Sequence, residues 1–99
     1  MSLKETINND IKTAMKAKDK ETLAVLRMIK SAIQAAEIDK KSELTEEEEL
    51  TILSREAKQR RESLAEFVKA GRDELVAKTE AEIEIVERYL RNTYQHNFL

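Results

Sequence analysis

The chain has 99 residues, of which 38% are charged, with a formal net charge of -2 and a mean hydropathy of -0.63. A chain this short supports one small domain with a thin core, burying roughly 60% of its unfolded surface, while its nearly balanced charge and regularly spaced apolar residues argue against disorder. Zero Cys excludes a disulfide framework, thiolate metal ligands and a cysteine nucleophile, and zero Pro with a single Gly leaves almost no punctuation for hairpins.

The expected fold class is all-α, an antiparallel bundle of about four helices. Ser2 and Glu5 have the S-x-x-E form of a capping box, and Leu3, Ile7, Ile11, Ala14 and Met15 share one face, predicting a helix over 3–17. Asp19 then serves as N-cap for a helix over 20–40 with Leu23, Val25, Leu26, Ile29, Ile33 and Ala36 on its apolar face. Thr45 with Glu48 repeats the capping box, and the run Glu46 to Glu49 puts negative charge on the positive end of a third helix, over 46–70. That acidic run therefore has a structural explanation. Gly71 is placed to take the left-handed conformation that ends this helix. A fourth helix over 73–90 carries Leu75, Val76, Ile83, Val86, Tyr89 and Leu90, and RNTYQHNFL follows as an irregular tail. Residues 1–90 thus form the expected domain and 91–99 the tail. No run approaches the roughly 18 apolar residues of a membrane span, and MSLKETINND has no signal-peptide core. A cytoplasmic protein with no membrane contact is expected.

Little in the chain suggests catalysis. His96, the single histidine, lies in the tail, and no Gly-rich phosphate loop or metal-ligand spacing occurs. No catalytic residue, metal or cofactor is assigned. Glu80, Glu82, Glu84 and Glu87 read as a solvated face of the fourth helix.

KQRRESLAEF, residues 58–67, stands out because three cations occupy four positions. Continuing the inward series Leu50, Leu53, Ala57 puts Arg60 on or beside the apolar stripe, with Glu56 one turn earlier, while Lys58 has Glu62 one turn later. Residues 1–42 carry nine Lys or Arg against six Asp or Glu, a local charge of +3. Leu23, Arg27, Lys30 and Gln34 form a polar continuation of an apolar edge of the second helix, so with that helix beside the third, Arg27, Lys30, Lys58, Arg60 and Arg61 are expected to line a phosphate-binding groove. No aromatic lies in the basic segment, so contacts to RNA would involve backbone and shape, without base stacking. The same cations also fit a helical protein-interaction or self-associating module, a homo-oligomer in which they pair with acidic helices such as the fourth.

MKAKDK with LAVLRM, then KQRRES, the AGR turn and the ending in YL, resemble the YqeY-like, GatB/YqeY domain family over residues 3–90. The resemblance implies an N-terminal helical domain followed by a smaller helical domain, similar to the tail of the B subunit of the glutamine-dependent tRNA amidotransferase, which helps hold tRNA. Family members are labelled amidotransferase-like, or carbon–nitrogen ligase-like with glutamine as amido-N-donor. The implied partners are tRNA and a tRNA-modifying or aminoacylation-related protein. The implied nucleic-acid-binding positions are Arg27, Lys30, Lys58, Gln59, Arg60 and Arg61. After YL the family usually has a proline and its second domain, whereas this chain reads RNTYQHNFL, so that domain is expected to be absent.

Overall fold

The computed structural model describes residues 2–98, with side chains through Asn92. It contains α1 (Leu3–Ala17), α2 (Lys20–Lys40), α3 (Glu46–Lys69) and α4 (Asp73–Phe98), with no strand among the described residues. The fold is all-α, as expected. Contacts divide the chain into two compact units, Met1–Ile52 and Leu53–Leu99.

In the first unit, helix ends follow the capping chemistry. The Ser2 hydroxyl accepts from the Glu5 N–H at 3.2 Å, and Asp19 accepts from the Thr22 N–H at 3.1 Å. At the start of α3 the box is reciprocal: Glu48 N–H donates to Thr45 Oγ1 at 3.2 Å, and Thr45 N–H donates to Glu48 Oε1 at 2.8 Å. α1 packs against α2, and the Lys4–Glu37 ion pair at 3.1 Å joins the beginning of one to the end of the other, so the two run antiparallel. Ile7 and Ala14 of α1 and Val25, Leu26, Ile29 and Ile33 of α2 are buried. Met15, placed with the inward residues by periodicity, is instead 54% exposed.

Two helices end in a conformation that composition did not announce. Lys18 (φ 56°) and Lys41 (φ 64°) sit in the left-handed region without being glycine. At the first of these, Asp19 N–H bonds to the Ala14 carbonyl at 2.9 Å and Lys18 N–H to that of Met15 at 3.2 Å. This is the same closing pattern that glycine usually supports.

In the second unit Gly71 supports it directly, with φ 67°, Gly71 N–H on the Val68 carbonyl at 3.2 Å and Arg72 N–H on that of Phe67 at 3.0 Å. Arg60 of α3 and Glu82 of α4, equidistant from Gly71 in sequence, form an ion pair at 3.5 Å, so α3 and α4 also run antiparallel. Leu53, Ala57, Ile83, Ile85, Val86 and Tyr89 are buried. The expected end of the fourth helix at residue 90 is corrected, because α4 continues through Phe98. RNTYQHNF contains no Pro or Gly, and each residue added to an existing helix gains a backbone hydrogen bond even without an apolar stripe. The side chain of His96 lies outside the described residues.

Candidate nucleic-acid interface

The six basic-segment and α2 positions separate into different environments. Arg60 is buried at 7% exposure. Its Nη1 donates to Glu56 Oε1 at 2.9 Å and to the Glu56 carbonyl at 3.3 Å, and its Nε lies 3.5 Å from Glu82 Oε1. A guanidinium out of water needs such compensation, and two carboxylates supply it. Arg60 is therefore an internal cation of the second unit, facing away from any solvent groove.

Arg61 remains about half exposed but pairs with Glu87. Glu82 and Glu87, assigned by sequence to a solvated face, are half-buried and receive α3 arginines. The pattern within α4 could not reveal this, because it depends on which helix α4 packs against. Glu80 and Glu84 do face solvent.

Lys58 and Gln59 are exposed, and among the described residues no carboxylate lies at ion-pair distance from Lys58. The anticipated Lys58–Glu62 pair does not form. In the first unit, Arg27 is exposed and Lys30 is half-buried, again with no carboxylate at ion-pair distance among the described residues. Lys30 lines a small open cleft between α1 and α2 together with Lys4, Ile7, Asn8, Ile33 and Gln34. Gln34, which the sequence placed on the same edge as Lys30, stands one turn from it, and Asn8, which the sequence did not single out, stands one turn from Lys4.

Electrostatics elsewhere in the first unit centre on the start of α3. A hydrogen bond from Lys40, followed by that from the Thr45 backbone, holds the Glu48 carboxyl below its ordinary range. Glu49 is pushed the other way, first by burial and then by the charges of Glu46 and Glu37, partly offset by Lys4. No group of three or more His, Cys, Asp or Glu able to hold a metal occurs among the described residues.

Residues 4–97 match the YqeY-like protein family. The chain belongs to that family. Curated relatives carry the name Altered inheritance of mitochondria protein 41, mitochondrial. The Saccharomyces cerevisiae (strain YJM789) protein is 36% identical over 85% of this chain and 46% of its own length. The Kluyveromyces lactis protein is 39% identical over 84% of this chain and 45% of its own length, and the Eremothecium gossypii protein 35% identical over 85% and 46%. The YqeY-like chain thus spans about half the length of these relatives. Their names correct the cytoplasmic expectation, pointing to the mitochondrion. Absent cysteine and an unremarkable N-terminus do not discriminate between two compartments that both hold cysteine-free proteins.

Proposed function

We propose that this YqeY-like chain is a noncatalytic accessory module that binds the tRNA backbone through Arg27 and Lys30 of its first unit and, separately, through Lys58, flanked by Gln59 and Arg61, of its second. The observation that supports this most is the sorting of the cations. Arg60 and Arg61 are matched by carboxylates on their own unit, whereas Arg27, Lys30 and Lys58 have no carboxylate at ion-pair distance among the described residues. Unmatched cations keep their charge available to phosphates, and each phosphate neutralised releases counterions. Arg60 acts inside the second unit, fixing α3 against α4. The link to glutamine-dependent amidotransferase chemistry is that of a tRNA-holding part, with the transfer itself done by a tRNA-modifying or aminoacylation-related partner.

Fluorescence anisotropy with labelled tRNA tests the reading. Arg27→Glu and Lys58→Glu, both at exposed sites, weaken binding with helicity unchanged. Unaltered affinity in the double variant refutes it.

A second reading, a self-associating or protein-binding helical module, draws on the exposed apolar side chains Met15, Met28 and Ile38 of the first unit, the last 75% exposed. Sedimentation velocity separates the two: a concentration-dependent dimer abolished by Ile38→Glu, with no tRNA binding, favours the second.

A further inference from the structure

We propose that the cleft between α1 and α2, lined by Lys4, Asn8, Lys30 and Gln34 above Ile7 and Ile33, seats one phosphate group of the RNA backbone.

This inference rests on the tRNA-binding reading and gives it a specific seat. The two helices run antiparallel, so the Lys4–Asn8 step of α1 and the Lys30–Gln34 step of α2 come to opposite banks of one cleft although they are far apart in sequence. Each step is one helical turn, which aligns its two side chains on the same ridge. The banks therefore offer two ammonium and two amide groups as donors, and none of the lining residues is a carboxylate. The floor is apolar, Ile7 and Ile33 being 1% and 2% exposed. Low-dielectric surroundings strengthen attraction between an ammonium and an anion held at the rim.

The cleft holds about 20 Å³, room for little more than a water, so a phosphate sits at its mouth with oxygens pointing inward. Base edges and rings do not fit. Lys4 is already held by Glu37 at 3.1 Å, which orients its ammonium but spends part of its charge. Lys30, half-buried and with no carboxylate at ion-pair distance among the described residues, is accordingly the principal cation, and Asn8 and Gln34 supply directional donors beside it. The chemistry expected is recognition of a singly charged phosphodiester oxygen pair by neutral and cationic donors, with no dependence on base identity.

The test uses the 99-residue chain, labelled tRNA and a salt series. Lys30→Gln weakens affinity about three- to tenfold and lowers the slope of log affinity against log salt by roughly one, as expected for one lost phosphate contact. Asn8→Asp, an exposed change that keeps side-chain size, places a carboxylate on the bank and weakens affinity comparably. If Arg27→Glu and Lys58→Glu weaken binding while Lys30→Gln and Asn8→Asp leave affinity and slope unchanged, the cleft holds no phosphate and the tRNA reading stands on Arg27 and Lys58 alone. If the wild-type chain does not bind tRNA, both fall.

Discussion

The guanidinium of Arg60 on α3 approaches the carboxylate of Glu82 on α4 to 3.5 Å, within a site where the arginine is almost fully out of water. With Glu56 on its other side, Arg60 carries two carboxylates and few water contacts. Removing it leaves two half-buried anions facing a void. Arg60→Ala is therefore expected to lower unfolding free energy by about 2 to 4 kcal/mol, and Arg60→Lys, which keeps the charge but loses the planar fork, by less. Urea denaturation measures both. A neutral Arg60→Ala would show that the pair merely balances its own desolvation.

Arg61 offers the contrast. Its pair with Glu87 is exposed, with side-chain exposures of 53% and 32%. Such pairs contribute little, so Arg61→Ala changes stability by no more than about 1 kcal/mol. Adjacent arginines thus differ severalfold in effect because one is buried and the other is wet.

The helix ends give predictions of opposite sign. A Cβ added at Gly71 meets nothing within 4 Å, so Gly71→Ala pays only for the left-handed backbone and loses about 1 kcal/mol. Lys18 and Lys41 already carry that strain, and Lys18→Gly or Lys41→Gly gains on the order of 0.5 to 1 kcal/mol. Thermal melts of the three variants, each compared with wild type, check the signs.

Glu49 predicts a pH dependence. Burial, then Glu46 and Glu37, raise its folded pKa above the unfolded value, so at neutral pH its charge opposes folding. As pH falls through the folded pKa toward the unfolded one, the folded state takes up the proton first and this penalty disappears. Glu49→Gln therefore raises the melting temperature at pH 7 and loses that advantage near pH 4. Glu48 has a lowered folded pKa, chiefly through Lys40, so its contribution is present above the unfolded pKa and is lost as pH falls through the folded one. Glu48→Gln accordingly destabilises at pH 7 and less so in acid.

Much of this fold is legible from local rules. Ser2, Asp19 and Thr45 cap the helices that their side chains announce, and Gly71 ends α3 as its conformational freedom suggests. Periodicity placed Leu26, Ile29, Leu53 and Val86 inside. It missed Ile52 and Ile85, one position off the named stripes, and Thr79, which lies on the stripe between Val76 and Ile83 but is polar. It also missed the Lys18 and Lys41 turns, where local backbone hydrogen bonds close the helix at a residue that is not glycine.

The candidate site was only half legible. Spacing put Arg60 at the apolar stripe and named Glu56 as a partner, and both features are present. The role of Glu82 depended on the pairing of α3 with α4, which no pattern within either helix encodes. Gln34 was legible as the continuation of the Arg27–Lys30 edge, but Asn8 was invisible for the same reason as Glu82, since an uncharged amide acquires meaning only when Lys30 faces it across a cleft.

The measurement that tests the account most directly is the salt dependence of tRNA affinity for the wild-type chain between 50 and 200 mM. Three phosphate contacts, from Arg27, Lys30 and Lys58, predict a linear fall of log affinity against log salt with a slope of about -2 to -3. Absence of binding at the lowest salt, or a slope near zero, would contradict it.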